Sequence, residues 1–225
     1  MVQERAERTR RAMVHAAAEE IDRSGYHGAS LARISRSVGM SMGALTFHFP
    51  TKDRLIEAVQ ALSLSMVGEA VAAVEAGKAG EAGEAGEAGE AVAGGDSVQA
   101  PSLGRARALI LAISRLLARE PVVRAAVRLG WERPAQEDWT ASWLPRVREL
   151  LVQAHADGDL RQEADPETVT ALAAGLVQGL HCRMCAGAGA HDALGQLTSI
   201  LDVILDSLSA PCRGGQDTPR CSHDN

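Results

Sequence analysis

The side chains best placed to bind an anion lie between positions 30 and 53 of this 225-residue chain. Lys52 is predicted at the start of a helix, where free backbone N–H groups and the helix dipole already favour negative charge. Ser30 is predicted in the equivalent position at the start of an earlier helix. A phosphate group suits this geometry, so the segment is a candidate for contact with a phosphate backbone.

The spacing of apolar residues predicts the first helix of this segment. Leu31, Ile34 and Val38 fall on one face of a helix over residues 31–38, with Ser30 as its N-cap. Gly39 suits the left-handed residue that ends such a helix. The chain is therefore expected to turn sharply at Gly39.

A second short helix is predicted directly after this turn. Ser41 can cap a helix over residues 42–48, and Pro50 stops it. Two helices joined by a glycine-containing turn of roughly three or four residues form a helix-turn-helix unit, whose second helix enters the DNA major groove. Met42 or Ala44 could meet a thymine methyl group there, and Gly43 permits close approach of the backbone. The segment thus indicates a DNA-binding protein.

The charge distribution agrees with a DNA-binding module at the N-terminal end. The whole chain has a net charge of −6, which taken alone argues against nucleic acid. Residues 1–54, however, hold nine Arg and Lys against six Asp and Glu, whereas residues 55–225 hold fourteen against twenty-three. A basic module on an acidic body fits a phosphate-binding head attached to a part with another task.

The composition and periodicity predict an all-α protein. Aromatic residues are only 3% of the chain, and no segment alternates apolar and polar residues over the length of a strand. Glycine recurs at every third position from 77 to 89, which disfavours a helix, so a flexible Ala/Gly/Glu-rich loop is predicted over residues 76–101. A disordered tail is predicted over residues 211–225. Apart from the two short helices, helices are predicted over residues 3–24 (ended by Gly25), 52–74, 102–119, 121–131, 138–157, 166–187 and 191–209.

Neither a membrane span nor a secreted disulfide framework is expected. No apolar stretch reaches the roughly 18 residues that a span needs, and the N-terminus lacks the apolar core of a signal peptide. The four cysteines are irregularly placed. The protein is therefore predicted to be cytoplasmic, with no membrane contact.

The chain resembles a known family. The N-terminal module of TetR-family regulators is similar to about residues 5–60, in Gly25-Tyr26, the helix from Ser30 to Gly39, Gly43-Ala44-Leu45 and Phe47-His48-Phe49-Pro50-Thr51-Lys52. The γ-butyrolactone receptor branch, which comprises the autoregulator sensors of actinomycetes, resembles the chain more loosely in Glu120-Pro121-Val122-Val123-Arg124-Ala125, Arg128-Leu129 and Asp138-Trp139.

The resemblance implies a homodimeric transcriptional repressor and not an enzyme. Residues 1–50 would form the helix-turn-helix DNA-binding domain, 51–75 a connecting helix, and 102–210 a ligand-binding and dimerisation domain whose last two helices form the dimer interface. The partners would be a palindromic double-stranded DNA operator and a small apolar autoregulator such as a γ-butyrolactone-type signal, with no cofactor. An orphan receptor for another ligand, such as an antibiotic, is an alternative.

The same resemblance implies the DNA-contacting residues, which are Ser30, Ser41, Met42, Gly43, Ala44, Thr46, Phe47, His48 and Lys52. Two of them depart from the family pattern, because members commonly have Lys at the position of Met42 and Tyr at that of Thr46. Both usually touch phosphates. Since their replacement removes about two of the contacts that fix the head on the duplex, affinity or site preference is expected to differ from that of relatives.

The candidate ligand site is built on three tryptophans within thirteen residues. Trp139 and Trp143 are four apart and are predicted on one face of the helix over 138–157, and Trp131 precedes them. Such indoles suit an apolar cavity whose N–H groups bind a carbonyl, although tryptophans can equally be core anchors. The Asp138-Trp139 resemblance favours Trp139 as a ligand contact.

Polar residues on other helices are further candidates for the ligand site. Gln178 and His181 lie on an otherwise apolar predicted helix, where interface or core roles are equally open, and Ser63 is a weaker candidate. His181 with Cys182 and Cys185 also forms an H-C-x-x-C cluster, so a redox- or metal-sensing regulator is an alternative function. This spacing on a helix is unusual for a structural metal site, and no metal is expected. The sequence shows no recognisable pair of a nucleophile and a base, so no catalytic residue is predicted.

Overall fold

The computed structural model describes residues 2–77, 101–133 and 139–210, except the side chains of residues 2 and 3. Over these ranges the prediction of an all-α fold is confirmed, and the one β-type pairing described is an isolated bridge between Leu160 and Ser209. The predicted loop over 76–101, apart from its ends, and the predicted tail over 211–225 lie outside the described residues. The helices are α1 (Val2–Gly28), α2 (Leu31–Ser37), α3 (Met42–His48), α4 (Lys52–Glu75), α5 (Ser102–Arg119), α6 (Pro121–Glu132), a 3₁₀ helix (Trp139–Ser142), α7 (Leu144–Asp157), α8 (Pro166–Cys185) and α9 (Ala190–Leu208).

Local signals form the helix-turn-helix unit as expected. Gly39 is left-handed, with φ of 67°, between α2 and α3. The Ser41 hydroxyl accepts a hydrogen bond from the backbone N–H of Ala44 at 3.2 Å, and Thr51 caps α4 in the same way. Ser30 occupies the N-cap position of α2 with an extended backbone, but its hydroxyl makes no capping hydrogen bond. The boundaries of α2 and α3 follow from these signals.

The end of α1 differs from the prediction. The helix continues to Gly28 instead of ending at Gly25, but Gly25 has φ of 70° and ψ of 178°, which breaks the helical path. This backbone conformation is essentially restricted to glycine. The glycine therefore marks a break inside α1, with one further turn beyond it.

The prediction of a single helix over residues 138–157 is wrong over its first part. Trp139–Ser142 form a 3₁₀ helix, and Trp143 is the N-cap of α7 with φ of −137°. Pro145 lies in the first turn of α7, where a missing N–H is tolerated, and proline disfavours helical conformation in the residue before it. Trp139 and Trp143 therefore do not share one α-helix face, and position 138 lies outside the described residues.

Two apolar cores meet along α6. One core joins α1–α4, through residues such as Met13, Ile34, Leu45 and Phe49, to Val122, Ala125 and Leu129 of α6. The other joins the second half of α4 to α5, α7, α8 and α9, and it includes Val123, Ala126 and Val127 of α6 together with Trp139 and Trp143. One helix thus buries its two faces in the head and in the body.

By length and composition, α4 is apolar enough to cross a membrane. Its apolar residues instead pack in the two cores, through Leu55, Ile56 and Val59 near one end and Val67 and Val74 near the other. The apolar character of α4 is therefore explained by its position at the junction of head and body.

Candidate DNA-binding face and ligand cavity

The outer surface of α3 is mainly apolar. Leu45 is buried in the head, whereas Met42 is 41% exposed and Phe47 is 83% exposed. Ser41 and Gly43 are also exposed, and Ala44 is half-buried. The Thr46 hydroxyl donates to the carbonyl oxygens of Met42 at 3.0 Å and Gly43 at 3.2 Å, so it is bonded within its own helix. Met42 and Thr46, which stand where family members commonly have Lys and Tyr, thus add no charged group to this surface.

The half-buried Lys52 binds two backbone carbonyls within the head. Its ammonium donates to the backbone carbonyl of Ala29 at 2.7 Å and to that of Tyr26, and it lies 4.3 Å from the centre of the Tyr26 ring. Burial lowers the pKa of Lys52, against the attraction of Asp53. The Lys52 ammonium, which was predicted to bind a phosphate, is therefore used for contacts within the head. Its contact with DNA stays a prediction.

Arg10 brings positive charge next to the end of the recognition helix. Exposed arginines on the first turns of α1 are Arg5, Arg8, Arg10 and Arg11. The Arg10 guanidinium lies 5.1 Å from the centre of the Phe49 ring, next to the end of α3. His48 is half-buried at that end, with its ring edge-on to Phe47 at a centroid distance of 5.5 Å. Arg10 and His48 thus lie on one surface at the end of α3, together with Glu4 and Glu7 of α1.

A polar contact between α6 and the end of α1, which we call the α1–α6 latch, was missed by the sequence analysis. It consists of Asp22, Tyr26, Arg124, Arg128 and Glu132. Arg124 pairs with the Asp22 carboxylate at 2.8 Å, and Arg128 donates to the Asp22 carbonyl at 2.7 Å. The Glu132 carboxylate accepts from Arg128 at 2.8 Å and from the backbone N–H of Tyr26 at 2.5 Å.

The latch has a distinct electrostatic character. Burial pushes the pKa of Glu132 upward, but the hydrogen bonds from Arg128 and Tyr26, with the nearby positive charges, outweigh it and lower the pKa overall. The one signal in the sequence is the i, i+4 spacing of Arg124, Arg128 and Glu132 on α6. Their partners on α1 are about a hundred positions away, so no local pattern names them.

A cavity of about 290 Å³ lies where α4, α6 and the 3₁₀ helix meet. Its lining includes Glu57, Gln60, Ala61, Ser63, Leu64, Ala126 and Trp139. The hydroxyl of Ser63 and the indole N–H groups of Trp139 and Trp143 are buried without a hydrogen-bond partner among the described residues. The Trp139 and Trp143 rings pack together at a centroid distance of 5.7 Å. Of the six predicted ligand residues, Ser63 and Trp139 therefore line the cavity, and Trp143 packs against Trp139 without belonging to the lining.

The other three predicted ligand residues lie elsewhere. Trp131 is 53% exposed at the end of α6, and its ring packs edge-on to that of His181 at 5.1 Å. His181 is buried on α8 next to the sulfur of Cys185, at 3.7 Å from Nε2, and burial lowers the pKa of the imidazole. Gln178 is exposed on α8. These residues form no single site with the cavity.

The structure gives little support to a redox or metal sensor. Cys182 and Cys185 are free and exposed on α8. Partial burial raises the pKa of the Cys185 thiol, which disfavours the reactive thiolate form. Within the described ranges no group of three or more His, Cys, Asp or Glu side chains could hold a metal ion. The cavity is therefore better supported as a candidate site than the cluster of His181, Cys182 and Cys185.

Comparisons with known proteins agree with this architecture. The family model for bacterial regulatory proteins of the tetR family matches residues 13–59. HTH-type transcriptional regulator BetI 1 of Chromohalobacter salexigens is 38% identical over 63 residues, which are 28% of this chain and 31% of that protein. The A-factor receptor protein of Streptomyces griseus is 26% identical over 212 residues, which are 93% of this chain and 67% of that protein.

Solved structures are similar over nearly the whole chain. A γ-butyrolactone receptor (ArpA-like protein) superposes with a TM-score of 0.67 at 24% identity, covering 92% of this chain and 91% of the other. CprB of Streptomyces coelicolor, in complex with its biological operator sequence, gives 0.66 at 25% identity, with 92% and 91% covered. TylP, a TetR regulator of Streptomyces fradiae, gives 0.58 at 27% identity, with 92% and 89% covered.

These findings confirm the resemblance. Residues 13–59 match the tetR family model, and the structure has a helix-turn-helix head and a helical C-terminal body. Over nearly its whole length the chain is similar to the A-factor receptor protein, and it shares the fold of the γ-butyrolactone receptors.

Proposed function

We propose that this protein is a cytoplasmic repressor that binds a palindromic DNA operator as a homodimer and is released by a small apolar ligand of the γ-butyrolactone type. It needs no cofactor for this function. The ligand binds in the cavity between α4, α6 and the 3₁₀ helix, and the head binds the operator.

The observation that carries the proposal is a set of buried donors without partners at the cavity, where Ser63 and Trp139 line the wall and Trp143 packs behind Trp139. The Ser63 hydroxyl and the indole N–H groups of Trp139 and Trp143 lack hydrogen bonds among the described residues. A buried donor left unsatisfied costs about 1–3 kcal/mol, so such groups are expected to serve a ligand or an ordered water molecule. A lactone or ketone offers acceptor oxygens and no charge, and its alkyl chain suits the mainly apolar walls.

The DNA-binding half of the proposal is supported by the head. Its helix-turn-helix geometry places α3 on the outside, beside exposed arginines of α1. Phosphate contacts from arginines supply much of the affinity for a duplex and make it dependent on salt. The operator complex of the similar CprB agrees with this use of the fold.

The homodimer is supported by apolar side chains that α8 and α9 leave exposed. Leu172 and Ile200 are each 40% exposed, and Val203 is 71% exposed. These helices were predicted to form the dimer interface from the family resemblance. Two heads related by twofold symmetry would read half-sites roughly 34–36 Å apart or a related spacing, which makes the operator palindromic.

The test combines DNA binding with ligand-induced release. The full-length protein is titrated onto a fluorescent duplex from its own promoter region, and a 2-acyl-γ-butyrolactone is then added while anisotropy is measured. Ser63→Ala removes one donor with little change of shape, and Trp139→Phe removes one donor while keeping an aromatic ring. We expect each to raise the ligand concentration needed for release by about fivefold, the effect of one neutral hydrogen bond, with DNA affinity unchanged.

Trp131→Phe is the matched control, because this indole lies outside the cavity, packed edge-on to His181. Release should be unchanged in this variant. Absence of salt-sensitive binding to the promoter duplex would contradict the repressor function. Normal release in both Trp139→Phe and Ser63→Ala, or loss of release in Trp131→Phe, would contradict the assignment of the cavity.

A further inference from the structure

The recognition helix lacks the side chains that ordinarily read bases by paired hydrogen bonds. Discrimination of guanine and adenine in the major groove rests mainly on Arg, Lys, Asn and Gln, which can form two hydrogen bonds with one base. None of these occurs in the sequence of α3, MGALTFH. The Thr46 hydroxyl donates to carbonyls of its own helix. Sequence recognition by α3 therefore cannot rest on paired hydrogen bonds to one base.

The exposed arc of α3 is bordered by two large apolar side chains. At about 100° per residue, the outer arc runs from the exposed Met42 past the half-buried Thr46 and the exposed Gly43 to the exposed Phe47. Phe47 is 83% exposed and Met42 is 41% exposed, although both are large hydrophobic side chains. Gly43, between them, has no side chain and allows the helix to approach a surface closely. The outer face of α3 thus carries one large apolar side chain at each border, with a shallow centre at Gly43.

Charge complementarity favours DNA as the occupant of this face. Arg5, Arg8, Arg10 and Arg11 are exposed on α1, with Arg10 next to the end of α3, and Arg36 is exposed on α2, whereas Arg33 is paired with Glu20. A polyanion is complementary to this surround, whereas an apolar protein partner would leave the guanidinium groups unmatched. Within a duplex, the apolar group that a major groove presents is the C5 methyl group of thymine.

We propose that α3 selects its operator by contact with thymine methyl groups, and that Met42 and Phe47 make these contacts. This inference rests on the proposed DNA-binding function and specifies how sequence is read. The phosphate contacts of the surrounding arginines position the head, and the two apolar side chains favour T·A pairs at the positions they face. Thymine is distinguished from cytosine, which has no methyl group at this position.

The experiment removes the methyl groups without altering base pairing. Duplexes that bind the full-length protein are selected from a random library, and the preferred duplex is resynthesised with deoxyuridine in place of each thymidine in turn. Uracil pairs as thymine does and lacks only the methyl group. At the contacted positions we expect about fourfold weaker binding per methyl group, which corresponds to ~0.8 kcal/mol, and about fifteenfold when both half-sites are changed.

Variants of the two side chains assign each contact. Phe47→Ala and Met42→Ala should bind the thymidine duplex more weakly and should lose their sensitivity to deoxyuridine at the position each side chain faces. Both side chains lie largely outside the core, so thermal unfolding should be unchanged, which separates a reading defect from a folding defect. Val152→Ala, which shortens an exposed apolar residue on α7, is the matched control and should behave as the parent protein.

The outcomes separate this inference from the proposed function. Failure to select any duplex would contradict DNA binding itself. Selective binding with equal affinity for thymidine and deoxyuridine duplexes would overturn methyl reading while leaving the repressor function intact. Sensitivity to deoxyuridine that persists in both Phe47→Ala and Met42→Ala would overturn the assignment to these residues.

Discussion

Replacement of Gly25 by alanine should be among the most damaging single-methyl changes in the head. Gly25 has φ of 70° and ψ of 178°, a conformation that other residues avoid. A Cβ atom there would lie 2.3 Å from Oε1 of Glu132 and 2.9 Å from a terminal nitrogen of Arg128. The position therefore combines backbone strain with a clash against the α1–α6 latch.

The expected loss of stability has two parts. Forcing a non-glycine residue into this conformation costs about 1–3 kcal/mol. Glu132 must also move, which breaks its hydrogen bond to the Tyr26 N–H, and a hydrogen bond to a charged group contributes about 1.5–3 kcal/mol. The free energy of unfolding should thus fall by about 2.5–6 kcal/mol, a large share of the roughly 5–15 kcal/mol of a typical domain.

Gly39→Ala is the matched control for the backbone part. Gly39 is also left-handed, with φ of 67°, but a Cβ atom there would have no neighbour within 4 Å. Only the left-handed conformation is penalised, at about 1–2 kcal/mol. The difference between the two glycine variants therefore contains the contribution of Glu132 and its partners together with any extra backbone strain at Gly25, and the combination with Glu132→Ala separates the two.

The assay is urea unfolding followed by circular dichroism at one fixed protein concentration, because stability depends on concentration if the protein is a dimer. Glu132→Ala should be costly in the parent protein but nearly neutral in Gly25→Ala, where the latch is already broken. Equal destabilisation by Gly25→Ala and Gly39→Ala, or full additivity of Gly25→Ala and Glu132→Ala, would refute the reasoning.

Three further predictions concern single side chains. Because the pKa of Glu132 is lowered in the folded state, this carboxylate stabilises the fold fully above its ordinary pKa of 4.5, and the stabilisation is lost as the pH falls through the lowered pKa. Urea titrations should therefore show that the free energy of unfolding falls less below pH 4.5 in Glu132→Gln than in the parent protein. An equal fall in both proteins would contradict this. Lys52→Met should lower the free energy of unfolding by about 1–3 kcal/mol by leaving two carbonyls without a donor. Unchanged stability with a DNA-binding salt slope reduced by about one would instead identify Lys52 as a phosphate contact. Ser63→Ala should raise the thermal stability of the ligand-free protein by about 1 kcal/mol, since a buried unpaired hydroxyl is removed, and a loss of stability would show that the hydroxyl is satisfied in solution.

The helix-turn-helix unit could be predicted because its determinants are local. Ser41, Gly39 and Thr51 each act within a few residues of their own position, through a cap or a left-handed turn. The boundaries of α2 to α6 followed from such signals. The break before α7 was missed because helical periodicity around Trp139 outweighed Pro145, a residue that a helix accepts only in its first turn.

The candidate site was only partly predictable, because it depends on packing between distant segments. Trp131 and Trp139 are eight positions apart, yet Trp131 packs on α8 while Trp139 lines a cavity against α4. The polar role of Lys52 in the head was hidden for the same reason, since its partners are Tyr26 at the end of α1 and Ala29 just after it. Composition indicated which residues were available, and tertiary contacts decided which of them meet.

The two functional regions are joined by α6, whose faces have separate tasks. Ala126 lines the cavity, and Arg124 and Arg128, two positions to either side, bind the end of α1. Val122, Ala125 and Leu129 of the same helix belong to the core of the head. Because packed cores are not continuously deformable, a ligand that displaces α6 must either move the head with it or break the α1–α6 latch. Glu132→Ala tests this argument: with the latch weakened, DNA affinity should be largely retained while ligand-induced release declines, and release at parental efficiency would show that the apolar contacts of α6 alone transmit the displacement.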